Sequence, residues 1–481
     1  MCLLEIDRLQ YYLFQLSYPT ARYLNILRKT MYNKHFIKST LLISSIGILT
    51  ACGGGGAGTD ASTSTTDGSA NSTYATGSTT NSTSDNSATS SPISSNKNIV
   101  VQPTPVSEGT LFASPTGTGS GASADDPASL QEALNNLQGG DVLFLRGGVY
   151  TLSMSDLKKV VIPSRASGSS SKPTIIESYP GERAIIDGGN LRRDVYEQKN
   201  QGSLRVEADY VKVRRIEVRS MPEFGILVTA DNVVVEGCES HHNGLTGIFG
   251  HHINNLLVQD NITHHNSDVG LGVNKWSYDN GDNADGIAVA YSNSSTIRHN
   301  IVYLNSDDGI DIWGSNNMLI NANKTYRNGY LDNGSHAGKG NGNGIKSGGQ
   351  NTHDNVVSYN LSWKNYSNGI DISESTNLRT KYVHNTTWHN GYNGSSNIYQ
   401  LGRGYTFNPD TELRNNISSD DAVHFWNGNG IFVDNSWDRG NHSWQDVGTV
   451  PFINTTDPSS PDFLRPAPGS GYEDLGAYAG N

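Results

Sequence analysis

A motif, Asn-x-x-aromatic-x-Asn, returns along the chain at intervals that leave few folds open to it. It begins at Asn261, Asn300, Asn323, Asn360 and Asn385, with Cys238 in the same place of an earlier copy. The aromatic slot holds His241, His264, Tyr303, Tyr326, Trp363 and Trp388, and the closing slot Asn243, Asn266, Asn305, Asn328, Asn365 and Asn390. The step is 23 residues from 238 to 261 and from 300 to 323, and 25 from 360 to 385. With short β-type runs (N-V-V-V-E, N-L-L-V-Q, S-T-I-R-H) and Gly/Asn turns between them, that period fits one coil of a parallel β-solenoid. Asn tolerates the left-handed backbone of tight corners, and stacked amides can bond coil to coil. The columns of Asn, His and Trp are therefore read as structural. The pairs His241-His242 and His264-His265 look like metal ligands, yet His241 and His264 occupy the slot that later holds Tyr and Trp, so stacking explains them better. Cys238, where other coils place a ladder Asn, is expected to be an inert buried thiol.

A second motif fixes the register of one strand per coil. It reads N-A-D-G-I-A around Asp285, S-D-D-G-I-D around Asp308, N-G-N-G-I-K around Lys346 and S-N-G-I-D around Asp371. Aligned on Gly286, Gly309, Gly344 and Gly369, the residue two places later is Ala288, Asp311, Lys346 or Asp371. Stacked parallel strands lie about 4.8 Å apart, so these side chains should form one row. Ile310 and Ile312 point inward, which turns Asp311 outward. A lone Lys between two Asp departs from the like-with-like filling of a structural row. Asp307, Asp308 and Asp311 fall within five residues, and Asp285 comes from the neighbouring coil in the slot of Asp308. Four carboxylates on one exposed patch repel unless a cation neutralises them, and hard oxygen ligands suit Ca²⁺.

Two coils break the period at the same corner. From the closing Asn to the Gly is four residues in most coils, but twenty from Asn266 to Gly286 and sixteen from Asn328 to Gly344. Both insertions enter the strands that carry Asp285 and Lys346, and loops there would wall a groove. Trp276, Tyr278, Tyr330 and Lys339 lie on them, where they could touch a substrate or be solvated decoration.

The flanks set the compartment. Residues 31–51 read as a lipoprotein signal: Lys34 and Lys38, an apolar run from Leu41 to Leu49, then Leu49-Thr50-Ala51-Cys52. Cys52 is the expected lipidation site, and residues 1–30, upstream of a complete signal starting at Met31, are a candidate start-site artefact. Residues 52–107 form a Ser/Thr/Gly-rich tether that lacks the apolar content to fold. Residues 108–481 are long enough for one large domain, whose start suggests a strand, a Gly-rich turn and a short amphipathic helix (P-A-S-L-Q-E-A-L-N-N-L) capping the open end. The last segment, D-L-G-A-Y-A-G-N, is expected to cover the other terminus. With 46 acidic against 34 basic residues, a nucleic-acid partner is not expected. The expected setting is a bacterial cell envelope, the chain being lipid-anchored at the outer membrane or secreted, and monomeric.

The ordered run N-A-D-G, S-D-D-G-I-D, N-G-N-G-I-K-S-G-G and S-N-G-I-D resembles the family 9 polysaccharide lyases over most of residues 110–481. That resemblance implies an all-β fold, a right-handed single-stranded parallel β-helix. It also implies that Asp285, Asp307, Asp308 and Asp311 bind calcium and that Lys346 is the catalytic base. The reaction would be β-elimination on a 4-linked uronate polymer, pectate above all. Metal bound to the uronate carboxylate would spread the enolate charge while the lysine takes the C5 proton. Lys346 must be neutral to act; Ca²⁺ would lower its pKa whereas Asp311 and Asp371 would raise it, which favours alkaline pH. Two alternatives stand beside this: a β-helix hydrolase of the polygalacturonase type, which would use Asp285, Asp307 and Asp308 as acid and base, and a non-catalytic calcium-dependent glycan-binding lipoprotein.

Overall fold

A computed structural model describes residues 109–480, apart from 157–159, 190, 192–201, 271–279, 350–351, 372–378, 392–398, 401–410, 421–430 and 441–446. The signal segment, Cys52, the tether, Trp276 and Tyr278 lie outside the described residues. The strands form three parallel sheets in which, except at the two ends of the twelve-stranded one, neighbours are three strands apart in the chain, so the backbone winds as a right-handed β-helix. Twelve, nine and ten strands make up the three walls among the described residues.

Inward-facing columns form the core. On the twelve-stranded wall Val213, Val235, Val258, Ile297, Ile320, Val357, Tyr382 and Leu413 lie in register, and each is fully buried. On the nine-stranded wall Leu204, Ile226, Ile248, Ile287, Ile310, Ile345 and Ile370 do the same. β-branched residues suit this arrangement because each packs on its copies above and below in one rotamer. The first coil would leave an open edge. Helix α1 (Leu130–Asn136), its N-cap Ser129 accepting a hydrogen bond from the Glu132 amide at 3.2 Å, covers it and buries Ala133 and Leu134 in the core.

Corners are held by asparagine. In one ladder the amides of Asn261, Asn300, Asn323, Asn360, Asn385 and Asn416 each donate to the carbonyl oxygen of the next rung, at 2.9–3.1 Å. Each rung's backbone N–H donates to that same oxygen. A second ladder runs from Asn243 through Asn266, Asn305, Asn328 and Asn365 to Asn390, at 2.8–3.0 Å. Cys238 takes the first rung's place in the first ladder: its N–H donates to Asn261 Oδ1 at 2.8 Å, and burial pushes the thiol up to about 11.

The aromatic column stacks as expected. His241–His264, His264–Tyr303, Tyr303–Tyr326 and Tyr326–Trp363 have centroids 4.5–4.9 Å apart and planes within 14° of parallel. The C-terminal segment closes the flank of the last coils, where Phe463 sits edge-on to Trp363 and the Ala477 amide bonds Thr386.

Asn360→Ala takes from the Asn323 backbone N–H its acceptor and from the Ile320 carbonyl its side-chain donor, while Asn323 Nδ2 keeps the Ile297 carbonyl and Asn385 Oδ1 keeps the residue-360 N–H. With about 1–3 kcal/mol for each buried group that loses its partner, a loss of at least about 2 kcal/mol is expected in urea denaturation. A loss below about 1 kcal/mol would show that the ladder does not hold the coils.

Candidate functional site

The nine-stranded wall carries the site, and a glycine sets its register. At Gly309 an added Cβ would stand 2.5 Å from the Gly344 carbonyl oxygen and 2.6 Å from Asn328 Nδ2. The second Asn ladder runs directly behind this position, so a side chain has no room, and the Gly recurs with the closing Asn. Two residues on, Leu227, Phe249, Ala288, Asp311, Lys346 and Asp371 pair across successive strands and make one outward row. Lys346 therefore lies between Asp311 and Asp371, as the repeat predicts.

The slot just before that Gly forms a third ladder, which the sequence reading did not anticipate. Asn368 Nδ2 donates to Asn343 Oδ1 at 2.9 Å, and Asn343 Nδ2 to Asp308 Oδ1 at 2.9 Å. The Asp308 N–H then donates to Asp285 Oδ1 at 3.1 Å. Donors here point back toward earlier coils, opposite to the other two ladders. A run of amides pointing that way ends on an acceptor, and a carboxylate serves because it only accepts. Asp308 is thus a fixed rung of the wall with its second oxygen left over. That oxygen, Oδ2, is 3.3 Å from Lys346 Nζ, and Asp311 Oδ2 is 3.2 Å from the same nitrogen.

Asp285, Asp307 and Asp308 each offer an oxygen, all within 4.8 Å of one another. Asp311 pairs with Lys346 and also bears on Asp285, whose carboxyl it helps to push up. The expectation of an exposed, water-accessible patch is corrected: Asp285, Asp307 and Asp308 are 8%, 4% and 0% exposed, and the Lys346 side chain 11%. The cause is the insertion between Asn328 and Gly344. Its backbone closes over the acids, the Asn341 amide donating to Asp307 Oδ1 at 2.6 Å and the Asn343 amide to Asp308 Oδ1 at 2.8 Å.

The electrostatics follow from that burial. Desolvation first, then the neighbouring carboxylates, push Asp285 and Asp307 well above the usual carboxylate range. Burial works against the charge on Lys346, but Asp311, Asp308, Asp307 and Asp285 outweigh it and hold the ammonium well above its ordinary value. Asp371 turns its Oδ2 toward Asn343 Nδ2, 3.5 Å away. Converging buried carboxylates with only oxygen donors fit a hard divalent cation, and Asp285, Asp307 and Asp308, with Asp311, are the residues that could hold it.

Two site residues were missed by the sequence reading. The Trp313 ring lies 5.3 Å from Lys346 Nζ, and its Nε1 donates to the Tyr291 hydroxyl at 3.0 Å. The legible signal for this was Gly349: its φ is +135°, and a Cβ there would stand 2.8 Å from the Trp313 ring. Among the insertion residues, Tyr330 is half-buried and edge-on to Tyr366, whereas Lys339 is exposed.

Residues 111–416 match the model of the Pel9A-like right-handed β-helix region. The chain belongs to that family. It is 28% identical over 340 residues to pectate lyase L of Dickeya chrysanthemi, an alignment covering 68% of this chain and 75% of the relative. Against pectate lyase L of Paenibacillus polymyxa it is 26% identical over 308 residues, 60% of this chain and 65% of that enzyme's length. The crystal structure of pectate lyase Pel9A superposes with a TM-score of 0.61 at 21% identity, over 75% of this chain and 89% of that one, which establishes the shared fold. The chain is a pectate lyase-like member of the family.

The raised pKa values carry a sign. Asp285 and Asp307 keep protons in the folded chain that the unfolded chain has shed, so with a chelator present they cost stability as pH rises from about 4. Asp307→Asn removes one like charge. At pH 7 in chelator it should stabilise the protein by on the order of 1 kcal/mol or more, an advantage that fades toward pH 4. An Asn variant less stable than wild type at pH 7 would contradict the repulsion.

Proposed function

We propose that this chain is a polysaccharide lyase that cleaves a 4-linked uronate polymer, pectate first, by β-elimination with Lys346 as the base and Ca²⁺ as cofactor. The observation that carries this reading is the placement of Lys346 Nζ, 3.2–3.3 Å from Asp311 and Asp308, beside three converging carboxylates on one wall of a β-helix. Kinship to pectate lyases supports it.

Residues of the chain would divide the work as follows. Asp285, Asp307, Asp308 and Asp311 would hold the calcium ion, the first three already converging. When bound, that ion supplies positive charge to the substrate carboxylate, stabilising the carbanion next to it. Lys346 stands in the outward row, where its uncharged amine can take the proton from C5. The electron pair left at C5 then forms the C4–C5 double bond as the C4–O bond breaks. The departing oxygen takes a proton from water, and the product carries a 4,5-unsaturated end. Asp311 and Asp308 fix the direction of the amine while favouring its protonated form, so turnover should rise toward alkaline pH. Trp313 walls one side of the lysine.

The hydrolase reading fits less well. A glycosidase of that type needs one protonated carboxyl and a second carboxylate that activates water, and neither role accounts for a lysine ion-paired to Asp308 and Asp311. A purely calcium-binding surface protein gives no reason for a lysine in the acidic row.

Lys346→Ala and Lys346→Arg should both lose at least about a thousandfold in the ultraviolet absorbance that reports unsaturated product, because Arg stays protonated. Wild-type activity should vanish in chelator and return with Ca²⁺ better than with Mg²⁺. Near-normal turnover by either lysine variant, or by metal-stripped enzyme, would overturn the assignment.

We also propose that Cys52 carries lipid and that residues 53–107 tether the enzyme to a bacterial envelope membrane. Cys52→Ser should shift the protein from the membrane fraction to the soluble fraction with unchanged specific activity. Wild-type protein found soluble, without lipid on its N-terminal peptide, would exclude the anchor.

A further inference from the structure

Histidines crowd one place on the outer face of the ten-stranded wall, on a different sheet from the acids. The His241 and His264 rings stack 4.7 Å apart, and His242 and His265 stack 5.0 Å apart in the next column. Stacking accounts for the faces of these rings but not for their edges. Within each coil the two rings stand nearly perpendicular with their Nδ1 atoms toward each other, 2.6 Å apart in the first pair and 2.5 Å in the second. One ring nitrogen from each of His241, His242 and His264 lies within 4.8 Å of the others.

The far edges fix the tautomers. His241 Nε2 is 3.1 Å from Glu217 Oε1, and His264 Nε2 is 3.1 Å from Glu239 Oε1. His265 Nε2 is 2.9 Å from Asp332 Oδ1, on the insertion that covers the acids. Glu217 also pairs with Arg183 and Arg219, and Glu239 with Arg183, so both act as ionised acceptors. Each of these three rings must then carry its hydrogen on Nε2, leaving a lone pair on Nδ1. For His264 and His265 that sets lone pair against lone pair at 2.5 Å, which is repulsive unless a positive charge sits between them. A carboxylate behind an imidazole whose other nitrogen faces inward is the usual support of a metal-bound histidine.

We propose that His241, His242 and His264, with His265 beside them, bind one transition-metal ion of the Zn²⁺ class. Imidazole nitrogens select such an ion over Ca²⁺, which takes oxygen ligands. At a metal–nitrogen distance of about 2.0–2.1 Å in tetrahedral geometry, paired nitrogens stand about 3.3 Å apart. Each pair within a coil therefore opens by under about 1 Å on binding, and the nitrogens on adjacent coils, within 4.8 Å of each other, close by up to about 1.5 Å, movements that side-chain torsions supply. The ion cross-links two adjacent coils. Through His265 and Asp332 it also ties down the inserted segment whose backbone amides hold Asp307 and Asp308.

The test uses untagged full-length protein stripped of metal and titrated with Co²⁺. One equivalent should bind and give the visible absorption bands of a four-coordinate nitrogen site, unaffected by excess Ca²⁺ and displaced by Zn²⁺. His242→Ala, at an exposed position where folding is not at risk, should weaken Co²⁺ binding at least about tenfold, and Glu239→Gln should weaken it about tenfold while leaving the bands in place. A wild-type protein that binds no Co²⁺ would overturn the proposal, since a shared proton would then suffice between the rings. Binding that survives unchanged in His242→Ala would overturn it equally.

Discussion

The contact between the second asparagine ladder and the glycine column is what the rest of the molecule depends on. Each Asn of that ladder bonds its neighbours above and below, and its amide lies where a Cβ of the facing Gly would be, 2.6–2.8 Å away at Gly247, Gly286, Gly309, Gly344 and Gly369. Buried amides of this kind are stabilising only when every donor and acceptor is matched. That requirement fixes where the strand of the nine-stranded wall begins in each coil. With the start fixed, the residue two places later faces outward in every coil. Lys346 meets Asp311 for this reason, though 35 residues separate them.

Function is then a local departure from the ladder rule. An amide run that donates backward must end on an acceptor, and the chain ends it with Asp308 and Asp285 in place of another Asn. The substitution leaves carboxylate oxygen over at the surface of the wall. Asp307 adds a third group, and the insertion from Asn328 to Gly344 caps all three with backbone amides. A solvated acidic surface would have had ordinary carboxylates. Burial converts the same residues into a set whose charges need a cation, and that same burial holds Lys346 in one direction.

Much of this was legible in the sequence. The period, the aromatic stack, the inert Cys238 and the row containing Lys346 all follow from side chains that repeat at fixed spacing, because each repeat touches mainly its own copies. The burial of Asp307 and Asp308 was not legible, because it comes from backbone N–H groups of Asn341 and Asn343, and any residue type carries those. Trp313 was missed for a related reason: it has no counterpart in other coils, and only the adjacent Gly349 hints that a ring needs the space. The His pairs show the converse. Their stacking was read correctly from the column, but the tautomers depend on Glu217, Glu239 and Asp332, which reach them from neighbouring coils and from the insertion.

The most direct test of the central claim is a crystal structure of the Lys346→Ala protein soaked with Ca²⁺ and an oligogalacturonate. The account predicts a calcium ion among Asp285, Asp307 and Asp308, touching a uronate carboxylate, with C5 of that sugar facing the space left by the lysine. An ion bound elsewhere, or a sugar whose C5 faces away from position 346, would contradict it.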